Sequence, residues 1–315
     1  MKVLIYGGGS VGLGIASCLL KSGAQVEILA REATVLALRQ RGLKRTGIFG
    51  EYHAAPANFE CYSSLTGVQG GPYDFILVCT KSFDSGKAAE DLSRHGPLFD
   101  NKTKIVLFQN GWGNAEAFLP FFSRDHIYSA RVITGFRRPH ENEVNITVHA
   151  DSIHLGSLFD ADLSCIRHLC TCISAGAIPC QTTDSIEMDL WAKMLYNCAL
   201  NPLGAILDVP YGDLAQHECT RLIMNGIVEE VFDVMNAAGY RTHWSSAKDF
   251  LNVFYDKLVP DTAGHKSSTL QDISAKKKTE IDALNGAVIK LAQQYNKSVP
   301  YNLVVYNMVK SIENR

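Results

Sequence analysis

The sequence predicts an α/β chain in two parts: a doubly wound, largely parallel sheet at the N-terminal end, then an all-helical domain. Three observations carry this expectation. Short apolar runs suited to buried strands alternate with helical stretches through the first half, and a glycine-rich turn follows the first such run. Beyond residue 184 the strand-like runs give way to helical periodicity. A chain of 315 residues has the length of roughly two domains, placed here at 1–183 and 184–315.

Composition narrows the function. Thirty Lys and Arg against thirty-two Asp and Glu leave a formal net charge of -2, with 46% hydrophobic and 20% charged residues. Nucleic-acid binding through bulk positive charge is excluded, because phosphate affinity needs a concentrated basic surface. Nine scattered cysteines include no Cys-x-x-Cys pair. Cys165, His168, Cys170 and Cys172 cluster in sequence but lack the paired spacing of a zinc site, so buried free thiols in a reducing cytosol are expected and no metal. Residues 3–20 carry no charge and superficially resemble a secretory leader. Glycines at 7, 8, 9, 12 and 14 interrupt the run. No other apolar run approaches a membrane span, so the expected location is the cytoplasm.

The first strand is Val3–Tyr6. Gly7-Gly8-Gly9-Ser10-Val11-Gly12 follows, then a helix with Ile15, Leu19 and Leu20 on its apolar face, ended by Ser22-Gly23. Gln25–Ala30 is the second strand. The spacing Gly7-x-Gly9-x-x-Gly12 between strand and helix fits dinucleotide binding: Gly7 for the sharp turn, Gly9 for close approach of a pyrophosphate, Gly12 for tight helix packing. The helix N-terminus offers unbonded N–H groups and a positive dipole end. Glu27 lies inside the second strand, whereas Arg31 occupies its end, where a planar cation suits a ribose 2′-phosphate and favours NADPH over NADH.

Further strands are read at Phe75–Cys79, followed by Thr80-Lys81, and at Ile105–Phe108, followed by Gln109-Asn110-Gly111. Both follow-on motifs lie where open α/β sheets bind ligands. Lys81 is either a phosphate contact or a loop lysine, and Asn110 either a site residue or a turn former. Residues 126–158 alternate like antiparallel strands closing the sheet, and 176–180 read as a last connecting strand.

In the helical half, Lys193, Asn197 and Asn201 recur every fourth residue within WAKMLYNCALNPLGAIL. They line an ammonium and two amides along one face of an otherwise apolar helix. Burying them without partners costs several kcal/mol by general scales, so such a face points to a ligand. Ser267 and Ser268 precede a helix whose buried face is marked by Ile281, Leu284, Val288 and Leu291. Glu280 adjoins that face and reads equally as a surface or an active-site carboxylate. Lys276–Lys278 read as a solvated turn, and Trp112 and Trp191 as packing residues.

These residues together resemble the ketopantoate reductase family. The resemblance spans nearly the whole chain and rests on GGGSVG, Arg31, TKS at 80–82, QNG at 109–111, W-x-K-x-x-x-N-x-x-x-N-P at 191–202, and SSTLQD followed by EIDALNG. It implies a Rossmann-type domain and a helical domain holding substrate between them, with reduction of 2-dehydropantoate to pantoate by NADPH on the route to pantothenate and coenzyme A. Lys193 resembles the family's proton donor, Glu280 the carboxylate that binds the developing hydroxyl, and Asn110 the residue beside nicotinamide and lysine. Asn197, Asn201 and Ser268 resemble the substrate-binding set, and Arg31 with Lys81 the 2′-phosphate contacts.

Some positions depart from the pattern. Tyr211-Gly212 stands where the family often has Asn-Gly, Gly204 where threonine is common, and Arg137-Arg138 has no assigned contact. The open alternatives are a reductase of the same fold acting on another 2-keto acid or an imine, and a non-catalytic NADP-binding sensor. Dimers are common among relatives, with the helical domain the expected contact.

Overall fold

The computed structural model describes all residues, 1–315. Two compact units are formed: residues 1–109 with 114–186, and residues 110–113 with 187–315.

The first unit is built on an eight-stranded sheet. Its strands are β1 (Lys2–Tyr6), β2 (Gln25–Leu29), β5 (Glu60–Tyr62), β6 (Phe75–Val78), β7 (Lys104–Leu107), β8 (Ile127–Arg131), β11 (Ile153–Gly156) and β12 (Cys180–Thr182). The order is β12-β11-β8-β7-β6-β1-β2-β5. All pairings are parallel except β8 with β11. Val3, Leu4 and Ile5 in β1 and Ile76, Leu77 and Val78 in β6 are fully buried, because helices cover both faces of such a sheet. Helices α1 (Ser10–Lys21), α2 (Glu32–Arg41), α3 (Ser85–Ser93) and α4 (Ser164–Ala175) complete the unit.

The expectation that residues 126–158 all close this sheet is corrected. β8 and β11 join it, but β9 (Thr134–His140) and β10 (Glu143–His149) leave for a second sheet of order β4-β3-β10-β9. Its other strands are β3 (Leu43–Gly47) and β4 (Tyr52–Ala54). β10 pairs in parallel with β3, from Glu143 opposite Lys44 to Ile146 opposite Gly47. Alternation identifies which face a strand buries but not which strand lies beside it. This small sheet packs on α1: a Cβ on Gly14 would sit 2.3 Å from the Phe136 ring. The expected strand at 176–180 also moves, since Ala177 turns the chain at a φ of 129°. The Ser174 hydroxyl brackets Cys180 by bonding both its N–H and its carbonyl, and pairing runs from Cys180 to Thr182.

The second unit is helical: α5 (Ile186–Leu207), α6 (Tyr211–Gln216), α7 (Glu218–Ala237), α8 (Ala247–Val253), a π-helical turn at 254–258 leading into the short α9 (Val259–Asp261), α10 (Ser268–Ser274), α11 (Asn285–Gln294) and α12 (Pro300–Glu313). Pro202 lies inside α5 rather than ending it. Having no N–H, it leaves the Cys198 carbonyl without its usual helical donor. The buried Asn285 amide donates to that carbonyl instead, at 3.1 Å, and also to Asn302 at 2.9 Å. The continuous helix expected through Glu280 and Leu291 is corrected as well. α10 stops at Ser274, a single 3-10 turn spans Ile281–Ala283, and Leu284, at φ -98° and ψ -107°, separates it from α11. Ile281, Leu284 and Val288 are nevertheless fully buried.

All nine cysteines are free; Cys165 and Cys219 are exposed, a departure from the expectation of buried thiols. No helix is long and apolar enough to cross a membrane.

Candidate active site

In the first unit the glycines divide by what surrounds them. Gly7 turns the chain at a φ of 115°, and a Cβ there would lie 2.8 Å from the Thr80 nitrogen. The Gly7 and Gly8 N–H groups both donate to the Leu29 carbonyl at 3.0 Å, fastening the turn to the end of β2. A Cβ on Gly8 would stand 2.5 Å from the Ala30 side chain, and one on Gly12 only 2.0 Å from the Gly7 carbonyl oxygen. Gly9 is different. It caps α1 with an ordinary φ of -79°, and a Cβ there would meet only the Cys79 carbonyl, at 3.9 Å.

Three glycines are therefore demanded by close packing, and Gly9 by nothing in the protein. Ser10 and Val11 follow it in the first turn, whose N–H groups have no intrahelical acceptors. The turn sits at the carboxyl end of β1, between β2 on one side and β6 on the other, where strand order reverses. A pyrophosphate fits the open side of Gly9 and the positive end of α1.

Arg31 caps α2; its carbonyl accepts from Thr34 N at 2.8 Å and Val35 N at 3.1 Å while its side chain is exposed. Glu27 is committed inside the sheet, accepting from the Tyr73 hydroxyl at 2.8 Å and pairing with Lys2 at 3.5 Å. Lys81 is half-buried at the start of the turn after β6, one residue past the Thr80 that Gly7 abuts.

The second unit gathers the other candidates: Asn110, Lys193, Asn197, Asn201, Ser268 and Glu280. On α5 the two amides are buried, with Lys193 half-buried a turn earlier. Asn197 Nδ2 donates to Asn110 Oδ1 at 3.2 Å. Asn201 Oδ1 accepts from the Tyr211 hydroxyl at 2.6 Å, and its carbonyl accepts from Ser267 Oγ at 3.2 Å. Burial first, and then neighbouring Tyr196, push the Tyr211 phenol well above its ordinary pKa, so it remains a proton-bearing donor. With that bond the Asn201 carboxamide is oriented, its oxygen toward the phenol.

The two serines separate. Ser267 is fully buried and caps α10 by accepting from Leu270 N at 3.0 Å, whereas Ser268 is exposed at the first position of that helix. Glu280 is 8% exposed, so the surface-carboxylate alternative does not apply. Its carbonyl accepts from Ala283 N at 3.0 Å. The residue before it is clamped: Thr279 N and Oγ1 donate to Glu313 Oε1 at 2.7 and 2.5 Å. Trp112 and Trp191 pack at 4.7 Å between centroids with their planes tilted by 37°, and Tyr240 lies edge-on 4.8 Å from Trp112.

Sequence reasoning missed Tyr211 as the partner of Asn201, Thr279 as the brace behind Glu280, and Asn285 as the substitute donor for Pro202. Only Tyr211 left a trace in the sequence, as an aromatic residue in an amide's place. No group of three or more His, Cys, Asp or Glu side chains is arranged to hold a metal ion.

Comparison with known proteins adds to this geometry. A family model described as "Ketopantoate reductase PanE/ApbA" matches residues 3–159, and one described as "Ketopantoate reductase PanE/ApbA C terminal" matches residues 185–313. The 2-dehydropantoate 2-reductase of Aquifex aeolicus is 34% identical over 316 positions, covering 99% of this chain and 97% of that protein. Among solved structures, the PanE/ApbA family ketopantoate reductase of Ralstonia eutropha JMP134 superposes with a TM-score of 0.85 at 28% identity, covering 100% of this chain and 99% of that one. A ternary structure of D-mandelate dehydrogenase with NADH and anilino(oxo)acetate gives 0.88 at 23% identity over 100% of this chain and 99% of that one, a likeness of fold. The chain belongs to the ketopantoate reductase family and is an NAD(P)-dependent oxidoreductase acting on CH–OH groups.

Proposed function

We propose that the protein reduces 2-dehydropantoate to pantoate with NADPH, a step toward pantothenate and coenzyme A in the cytoplasm. The observation that carries this reading is the polar face of α5: two buried amides set among the buried Leu195, Cys198, Ala199 and Leu200, Asn197 held to Asn110 and Asn201 oriented by Tyr211. Residues 1–183 bind the cofactor and 184–315 carry the proton chemistry. Gly9, Ser10 and Val11 present their N–H groups to the pyrophosphate, while Arg31 and Lys81 take the 2′-phosphate. The bound nicotinamide supplies the hydride. Lys193 donates a proton to the keto oxygen as negative charge builds there, which an adjacent ammonium also stabilises. Glu280 accepts a hydrogen bond from the new hydroxyl. Asn197, Asn201 and Ser268 hold the substrate, with Asn110 beside Lys193.

A second reading, reduction of a different 2-keto acid, is favoured by one feature: Asn201 Oδ1 is already taken by Tyr211, an aromatic side chain where an amide is usual. NADPH oxidation measured across a panel of 2-keto acids separates the two, with highest kcat/KM on 2-dehydropantoate expected. Lys193→Ala should lower kcat by roughly 10²–10⁴-fold, the usual size of positioned acid catalysis. Unchanged turnover in a folded variant would remove Lys193 from its role.

A further inference from the structure

Arg138 lies outside every role assigned above. It sits on β9, the edge strand of the small sheet, two residues beyond the Phe136 ring that fills the notch at Gly14. Its Nη2 donates to Thr34 Oγ1 at 2.5 Å, to the Glu141 carbonyl at 2.9 Å and to the Glu141 carboxylate. Thr34 Oγ1 in turn donates to Glu141 Oε2 at 2.6 Å. All three guanidinium bonds leave from Nη2, and Nε, although buried, has no partner.

Thr34 belongs to the first turn of α2, the helix that Arg31 caps, and the turn joining β9 to its antiparallel neighbour β10 is moored at the other end of α2 by Asn142 Nδ2 donating to the Gly42 carbonyl at 2.9 Å. Thr34 also borders the glycine turn: a Cβ on Gly8 would lie 3.5 Å from its Cγ2. Arg138 is thereby brought to the end of β2, where the ribose of a dinucleotide lies. Burial lowers the Arg138 pKa from the ordinary arginine value; the Glu141 charge raises it and the Arg31 charge lowers it. Around Arg138, then, the Arg31 guanidinium and the Glu141 carboxylate are the charges that act on it, one like and one opposite. A phosphate dianion is the ligand class that suits two such guanidiniums, because each can donate two parallel hydrogen bonds to it.

We propose that Arg138 is a second cation for the cofactor's 2′-phosphate, acting beside Arg31, with Glu141 setting how much of its charge the phosphate receives. This rests on the NADPH reading above and adds to it a residue from the small sheet.

The test is calorimetric titration of the purified protein with NADP⁺, NAD⁺, adenosine 2′,5′-bisphosphate and 5′-AMP, without turnover. Arg138→Met should weaken NADP⁺ and the bisphosphate roughly tenfold or more, as for loss of a charge-assisted bond, and change NAD⁺ and 5′-AMP less than about twofold. Glu141→Gln should act oppositely, raising the NADP⁺ to NAD⁺ affinity ratio. Equal weakening of both dinucleotides by Arg138→Met would make Arg138 a structural tie only. An unchanged or lowered ratio in Glu141→Gln overturns the proposal even if Arg138→Met does not fold. If wild type prefers NADP⁺ and Arg31→Met abolishes that preference while Arg138→Met keeps it, this inference fails and the NADPH reading stands. No preference in wild type sinks both.

Discussion

The contrast between Gly9 and Gly12 yields opposite outcomes from the same substitution. In Gly12→Ala the new methyl stands 2.0 Å from the Gly7 carbonyl oxygen, 3.1 Å from Ile5 Cγ2 and 3.2 Å from Cys79 Cβ. The nearest atom is backbone, at the turn that also bonds Leu29, so α1 must move away from β1 by more than an ångström-scale adjustment of side chains. Overpacking of this kind costs about 3 kcal/mol, and for a unit of this size that lowers Tm by roughly 6–12 °C. In Gly9→Ala the methyl finds only the Cys79 carbonyl at 3.9 Å, with φ at an ordinary -79°. Stability should stay within about 1 kcal/mol of wild type.

Affinity reverses the ranking. The Gly9 methyl projects into the space where a pyrophosphate would meet the α1 N–H groups, and losing one such charge-assisted bond costs roughly 10–100-fold in Kd. Thermal unfolding by circular dichroism and dinucleotide titration on both variants read the two axes separately. A Gly9→Ala protein that binds NADP⁺ as wild type does would refute the placement of the phosphates. A Gly12→Ala protein with wild-type Tm would refute the packing argument.

Tyr211→Phe removes the donor to a buried amide oxygen, which should cost about 1–3 kcal/mol in unfolding free energy; it should also raise substrate KM with little change in kcat, since it frees the Asn201 carboxamide to rotate. Steady-state kinetics and a urea titration check both. For the brace behind Glu280, burial raises the Glu313 pKa, but the Thr279 and Lys310 hydrogen bonds and the Lys310 charge outweigh it, leaving the carboxyl below its ordinary value. Asp282 is lowered in the same way, with the Tyr306 hydrogen bond and Lys310 outweighing burial. A depressed folded pKa gives stability that is present above the unfolded carboxyl value of about 4 and is lost as pH falls through the folded one. Stability should therefore drop on acidification below about pH 4, and Glu313→Gln should flatten that slope; an identical slope in urea unfolding from pH 5 to 2.5 would contradict it.

The parts of this molecule legible in the sequence are those whose signals are local. Strand, glycine turn, helix and second strand at 2–29 are contiguous, and Gly7, Gly8 and Gly12 are each set by a close contact inside the turn or with its neighbouring strands, while Gly9 is left open. The small sheet was illegible because its defining pairing joins Lys44 to Glu143, far apart in sequence. β3 also conceals itself: its inward positions are Leu43 and a fully buried Arg45, which donates to the Gly176 carbonyl at 2.8 Å and stacks over Tyr52. Apolar alternation cannot be read through a buried arginine. Arg138 stood out in the sequence but its contact was illegible for the same reason, since its meaning depends on where that sheet places it. In the helical unit the amide stripe was legible as a period, but the break at Leu284 was not, because Ile281, Leu284 and Val288 keep helical spacing across it.

That break changes how Glu280 is held. On a continuous helix its direction would be set by the helix axis; here it precedes a lone 3-10 turn, and two outside contacts must supply the rigidity. Glu313 grips Thr279 on one side. On the other, the segment at 110–113 seats on Ala283: the Trp112 N–H donates to its carbonyl at 2.9 Å, and a Cβ on Gly111, at a φ of 87°, would lie 2.4 Å from the same oxygen. Gly111 is thus required by the carboxylate's support rather than by a turn alone. Since Asn110 also accepts from Asn197, one short segment couples the turn after Glu280 to the amide face of α5. A perturbation at Ala283 should therefore be felt at Asn197, although the two are far apart in the chain.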